Sequence, residues 1–291
     1  MILNRRQVLK RSLLSAGALV LEQALQATRT ALLPGVQLPL LHSACRWCYA
    51  DFPLEELCER GLDIGLHSIE LLKPTEWKVA RSYGLACAVG TADFISITAG
   101  FNDKSNHRNL QKQYRELLPL AAEDGIPNLI CFSGNRNGLS DEKGLDNCAR
   151  GLEPLLRQAE KLGVTLIMEL LNSKVDHPDY MCDHTAWGVA LVEKLGSPNF
   201  KLLYDIYHMQ IMEGDLIRTI RDNADYIAHY HTGGVPGRHE INSQQEINYP
   251  AVVRAIIETG YTGYLGQEFI PTYEDKISAL EESIWICSKD Y

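Results

Sequence analysis

The stretches LIMELLN (166–172), LLYDIYHMQ (202–210), IAHYHTGG (227–234) and YLGQEF (264–269) decide how this chain folds. Each is a short apolar run ending on or near a side chain able to bind a metal. These side chains are Glu169, Asp205, His231 and Glu268, separated by 36, 26 and 37 residues. Such intervals match one strand plus one helix of a repeating α/β unit. Successive parallel strands would carry all four side chains to one end of the sheet. Three carboxylates and an imidazole meeting there repel one another unless a divalent cation lies between them. Ion-paired or helix-capping duty would explain any one of the four, but explains all four at strand ends poorly.

The remainder of the chain alternates in the same way. Strand-like runs lie at 40–47, 68–72, 85–92, 128–134, 165–171, 200–206, 226–231 and 263–269. Between them, LQKQYRELLPLAAEDG (110–125), LDNCARGLEPLLRQAEKLG (145–163), TAWGVALVEKLG (185–196) and YPAVVRAIIETG (249–260) are amphipathic and end in glycine, a common helix stop. PLEELCERGLDIG (53–65) opens on Pro53, which suits a first helical turn. Eight such repeats predict an α/β fold, a closed (β/α)8 TIM barrel forming a single catalytic domain over 36–291. The helix after the second run, TEWKVARSYG (75–84), is short, so the second unit is the least regular. The longest loop, GGVPGRHEINSQQEI (233–247), follows the seventh run on the face where such barrels carry function.

At 291 residues, 45% of them hydrophobic, the chain can bury a full-sized core. Its net charge of −9 is unevenly spread: residues 1–30 carry Arg5, Arg6, Lys10, Arg11 and Arg29 against Glu22 alone. The acidic body that follows has no electrostatic footprint for nucleic acid. NRRQVLKRS (4–12) leads into SLLSAGALVL (12–21), an arginine pair and an apolar core that resemble a twin-arginine export signal. Residues 1–30 are therefore expected to be a signal segment and the protein to be exported to the periplasm. The alternative is a cytoplasmic protein with an uncleaved amphipathic N-terminal helix. No run approaches the ~20 apolar residues of a membrane span. The eight cysteines are dispersed, and Cys45 and Cys48 would face opposite ways on a strand, so neither a disulfide framework nor a redox pair is expected.

ELLNSKVDHPDYMCDH (169–184), YDIYHMQIMEGDL (204–216) and VPGRHEINSQQEINYP (235–250) resemble the hydroxypyruvate isomerase family. That family belongs to the xylose isomerase-like barrels, alongside ketose 3-epimerases and endonuclease-IV-type phosphodiesterases. The resemblance is specific in the C-terminal half and rests on pattern in the N-terminal half, where CRWCY (45–49) matches neither motif set. It implies Glu169 and Glu268 as the acid/base pair and Asp205 as a metal ligand. It also implies a glutamine as the fourth ligand, where this chain has His231, a departure towards the ketose epimerases. The implied function is a metal-dependent isomerase interconverting a small α-hydroxyketone and α-hydroxyaldehyde through an enediolate. Hydroxypyruvate to tartronate semialdehyde is the type reaction, with ketose 3-epimerisation second and metal-dependent phosphodiester hydrolysis a remote third.

An oxygen-rich donor set with one nitrogen favours Mn2+ or Mg2+, with Co2+, Fe2+ or Zn2+ also compatible. Moving a proton between carbons beside a carbonyl calls for a base, an acid and a Lewis acid. Substrate-binding candidates are His208 beyond the strand-end Asp205, then Arg238, His239 and Glu246 in the long loop. Arg238 suits a substrate carboxylate, which guanidinium binds in bidentate fashion. Glu70 reads as a hydrogen-bonded barrel residue, and Trp47 as a packing aromatic. The expected partner is a small hydroxy-keto acid or sugar, and homo-oligomerisation is left open.

Overall fold

In the computed structural model, which describes residues 40–289, every run named above coincides with a strand, the seventh strand reaching one residue past its run. The strands are β1 (Leu41–Cys45), β2 (Ser68–Glu70), β3 (Val89–Gly90), β4 (Asn128–Cys131), β5 (Thr165–Glu169), β6 (Phe200–Asp205), β7 (Ile227–Thr232) and β8 (Tyr264–Gln267). The helices are α1 (Leu54–Asp63), α2 (Pro74–Ser82), α3 (Lys104–Asp124), α4 (Asp141–Leu162), α5 (Thr185–Leu195), α6 (Ile206–Met212), α7 (Leu216–Asn223), α8 (Tyr249–Glu258) and α9 (Lys276–Cys287). The expected export segment and the domain start at residue 36 lie outside the described residues. No helix among those described is long and apolar enough to cross a membrane.

The strands are all parallel, in the order β2-β1-β8-β7-β6-β5-β4-β3. The two ends of that order meet in a seam of isolated bridges, Ser68 with Ala86 and Leu72 with Gly90. Four backbone bonds make the closure: Ala86 N–H to the His67 carbonyl, Ile69 N–H to that of Ala86, Leu71 N–H to that of Val89 and Thr91 N–H to that of Leu72. The irregular second unit foreseen from TEWKVARSYG is this seam. There α2 plugs the wall with Trp77, which is 2% exposed and donates its indole N–H to the Leu72 carbonyl. A methyl on Gly90 would lie 3.1 Å from the Trp77 ring, so β3 stays thin where the indole presses on it.

Several boundaries differ from the sequence reading, each for a local reason. α3 and α4 begin earlier than the apolar periodicity does, because Asp103 and Ser140 cap them through side-chain bonds to the amides of Ser105 and Lys143. Pro53 is the residue before α1, not inside its first turn. β1 stops at Cys45 and RWCY (46–49) turns as a 3-10 helix, so Cys45 and Cys48 do not share a strand. Their thiols are nevertheless buried, and none of the eight cysteines is in a disulfide. The β6–β7 connection holds two helices, α6 and α7, where none was marked.

Candidate active site

The four strand-end residues converge. Glu169 ends β5, Asp205 ends β6, His231 lies one residue from the end of β7 and Glu268 directly follows β8. Asp205 and His231 are register partners across β6 and β7. One ligand atom from each of the four lies within 4.8 Å of all the others, and every one of the residues is buried. Alternation along the strands explains the common direction: Ile167 and Leu203, two residues back, belong to the apolar interior below.

Local structure aims each donor. Asp205 caps α6, its Oδ1 accepting from the amides of Tyr207 (2.8 Å) and His208 (3.3 Å), which leaves Oδ2 to face the cluster. His231 places Nδ1 2.9 Å from Glu268 Oε2 and 3.3 Å from Glu169 Oε1. Trp47 donates its indole N–H to Glu268 Oε1 at 2.6 Å. Arg238 Nη2 donates to Glu268 Oε2 at 2.6 Å and lies 3.4 Å from Asp205 Oδ2. Its guanidinium sits between the rings of Trp47 and Tyr207, 5.1 and 5.5 Å from their centroids. The Arg238 backbone is left-handed (φ 58°), a conformation that a non-glycine residue adopts only when its surroundings hold it there.

The electrostatics are those of a crowded anionic site. Burial, reinforced by Glu268, raises the Glu169 carboxyl above its usual range. Asp205 is pushed well above it by burial, against the pull of Arg238. Burial would raise Glu268 too, but Arg238 and His231 hold it well below. His231 is held well above the ordinary imidazole range: burial opposes its charge, while Cys45, Glu268 and Glu169 favour it. Burial also keeps the Cys45 thiol protonated, so the carboxylates are the partners that matter. Arg238 is likewise raised, with Glu268, Asp205 and Glu169 outweighing its burial.

A divalent cation fits these residues. Glu169 Oε1 is buried with His231 Nδ1 3.3 Å away but no well-formed hydrogen bond, and a buried carboxylate oxygen so weakly satisfied is costly unless an ion takes it. The Nδ1 of His231 points at two carboxylates rather than at a carbonyl. Three carboxylates and one imidazole around a point suit a hard or borderline metal ion.

The expected substrate-binding residues divide. His208 is fully buried beside the cluster. Asn172 Nδ2 donates to its Nδ1 at 2.7 Å, so the ring's proton is on Nε2, which is 3.6 Å from Asp205 Oδ2 and has no hydrogen-bond partner. Burial and Arg238 lower its pKa well below the ordinary value, leaving a neutral N–H donor at the mouth. Arg238 is at the cluster, but its guanidinium already serves Glu268 and Asp205. His239 and Glu246 are not brought there: both are exposed, the first on the Ile270 carbonyl (3.1 Å) and the second on Gln210 (3.1 Å). The loop turns them outward and buries Glu240 instead, tying it to Thr272 through the hydroxyl (2.5 Å) and amide (2.9 Å).

Trp47 is the residue that sequence reasoning underweighted. It is 41% exposed and contacts both Glu268 and Arg238, so it forms a wall of the site. Its place two residues beyond the end of β1 was the available signal. Glu70 is a hydrogen-bonded barrel residue as read, holding His229 at 2.9 Å and His231 at 2.6 Å.

The model of the xylose isomerase-like TIM barrel family matches residues 58–287. The hydroxypyruvate isomerase of Escherichia coli K12 is 33% identical over 227 residues, covering 76% of this chain and 80% of that protein. The 2-oxo-tetronate isomerase of Pectobacterium atrosepticum is 32% identical over 236 residues, covering 77% and 88%. Against three other curated relatives the chain spans only 38–41% of their length. Among solved structures, an AP endonuclease of family 2 from Brucella melitensis superposes with a TM-score of 0.74 at 22% identity, covering 84% of this chain and 97% of that one. That likeness is one of fold.

Proposed function

This chain belongs to the xylose isomerase-like TIM barrel family, and on that premise we propose that it is a divalent-metal-dependent isomerase of a small α-hydroxy-keto acid. The type reaction is hydroxypyruvate to tartronate semialdehyde. The observation that carries the reading is the convergence of Glu169 and Glu268 on one point with Asp205 and His231. When bound there, the cation supplies Lewis acidity that makes a carbon-bound proton beside the carbonyl removable.

The chain's own residues do the rest. One of the two glutamates takes the proton from the hydroxymethyl carbon, giving an enediolate, and the other returns a proton to the former carbonyl carbon. The hydroxyl proton passes between the two oxygens, so the product is an isomer and no co-reactant is consumed. The neutral His208 Nε2–H, which has no hydrogen-bond partner, would donate to a substrate oxygen. Trp47 and Tyr207 flank the mouth and exclude water from the exchanging proton. Arg238 reads the substrate carboxylate, exchanging part of its hold on Glu268 for that anion.

A second reading, epimerisation or isomerisation of a neutral ketose, is favoured by one observation: an imidazole, His231, occupies the β7 donor position. Phosphodiester hydrolysis is disfavoured because His231 alone among the described histidines joins the four-residue donor set. Metal-loaded protein incubated with hydroxypyruvate, 2-oxo-tetronate and a ketose panel in D2O distinguishes these readings. Deuterium entering a carbon-bound position of an acid supports the proposal, entry only into neutral ketoses supports the second reading, and no exchange into any of them removes both.

A further inference from the structure

Beneath the donor set lies a carboxylate that the proposed chemistry does not use. Glu70 ends β2 and is fully buried, yet it meets residues of β7, and β1 and β8 lie between those strands. Its Oε1 is 2.6 Å from His231 Nε2, 2.9 Å from His229 Nε2 and 3.6 Å from Cys45 Sγ. The path across two strands is open because the intervening residues are small. On β1 stands Cys45, and on β8 stands Gly266. A Cβ added to Gly266 would lie 2.4 Å from Glu70 Oε1 and 2.7 Å from His231 Cδ2. Glycine inside a strand loses side-chain packing and often marks a close approach; here it leaves room for the Glu70–His231 contact.

The contact has a chemical meaning. An imidazole that donates its Nε2–H to a carboxylate keeps its free lone pair on Nδ1, and Nδ1 is the nitrogen facing Glu268 and Glu169. A carboxylate behind a histidine also makes the ring a stronger donor. We propose that Glu70 is a positioning residue that fixes Nδ1 as the metal-binding nitrogen of His231 and biases the donor set towards Mn2+, Co2+ or Zn2+ over Mg2+. Nitrogen donors suit the first three cations better than the last. The inference rests on the metal reading above, and its test separates the two.

The test uses the full chain. In uniformly 15N-labelled, Zn2+-loaded protein, long-range proton–nitrogen correlation identifies the His231 ring by its loss in His231→Gln. The expected pattern is a protonated Nε2 and a metal-bound Nδ1; the reverse pattern overturns the proposal. Competition titrations with a chelator then give Mn2+ and Mg2+ affinities. Glu70→Gln should weaken Mn2+ about 10- to 100-fold and Mg2+ less. In the His231→Gln background, where the ligand has no tautomer to set, the same substitution should cost nothing further. Equal losses for both metals, or an undiminished loss in that background, show a merely structural carboxylate and sink the inference. If Glu70→Gln does not fold, the nitrogen pattern of the unsubstituted protein decides alone. If that protein binds no divalent cation, the metal reading falls and this inference with it.

Discussion

Glu169 and Glu268 differ from ordinary buried carboxylates in facing each other across an imidazole and a guanidinium at the mouth of a barrel, above its packed interior. Substituting either by glutamine keeps the side chain's size while removing the carboxylate proposed to carry the proton, and at Glu268 it also takes away one of the two oxygens that accept from Trp47 and Arg238. Each variant should lose about 10²–10⁴-fold in kcat while still unfolding cooperatively, with Glu268→Gln the less stable of the two because it removes the main partner of buried Arg238. Near-full turnover under saturating metal would show that the glutamate carries no proton. Arg238 decides between acid and neutral substrates. Arg238→Ala should cost a keto acid about 1.5–3 kcal/mol in kcat/KM, with Arg238→Lys recovering only part, since lysine lacks the planar fork. If Arg238 serves only to neutralise Glu268 and Asp205, acid and neutral substrates should suffer alike. The convergence of the four strand-end residues was legible because Glu169, Asp205, His231 and Glu268 each lie at or near the end of an apolar run. His239 and Glu246 misled because loop proximity in sequence does not say which way a loop residue faces. Here the buried Glu240–Thr272 tie turns its neighbours outward. The contact between Trp47 and Glu268 spans 221 residues, a separation over which a single sequence carries no pairing signal.

Among the elements, α2 and the seam it covers are the weakest joint. β3 has two residues, and the strands flanking the seam are linked by bridges instead of a continuous ladder. Trp77 fills the gap from the helix side, so its removal leaves a cavity and takes one of two donors from the Leu72 carbonyl, which keeps only the Thr91 N–H. Trp77→Ala should therefore destabilise the barrel by about 3–5 kcal/mol, read as a lower urea midpoint. A loss under 1 kcal/mol would mean that the seam does not depend on the indole. Eight strand positions were readable because parallel strands buried on both faces are near-continuous apolar runs. Helix starts were less readable. Caps such as Asp103 and Ser140 lie before the periodic apolar stretch, and the hydrogen bond that makes them caps is a three-dimensional fact. The 3-10 turn at RWCY was missed because apolar, aromatic and cysteine residues there continue the β1 pattern while the chain is already turning.

For the whole molecule, acid sensitivity follows from His42 at the N-terminal end of β1, held by Ser288 beyond α9 at 2.9 Å. Burial, aided by His67, lowers its pKa to about 4. The unfolded chain takes up that proton near the ordinary value of 6.5 and the folded one does not, so stability should fall as pH drops from about 6.5 towards 4. The shift corresponds to about 3 kcal/mol. Denaturant midpoints across that range should fall more steeply for the native chain than for His42→Gln; parallel curves would assign the loss to other groups. The N-terminal segment is expected to be dispensable for the barrel, whose first described strand begins at Leu41. A chain starting at Pro34 should bind metal and unfold as the full one does, while Arg5→Lys with Arg6→Lys should stop export in a host with a twin-arginine pathway. Export surviving that change would remove the signal assignment.

The seam also says how this barrel breathes. In the ring of strands, β6 and β7 stand diametrically opposite the β2–β3 gap. The wall is therefore expected to open there first, like a split collar, while the hinge side keeps Asp205 and His231 in register. Amide hydrogens of residues 69–72 and 86–91 should exchange long before those of residues 202–205 and 229–231. Glu70 sits on the lip of that collar, so if His231 holds a cation as proposed, each opening would withdraw the carboxylate behind it, and the rate of that excursion, not of global unfolding, would set how quickly the ion escapes.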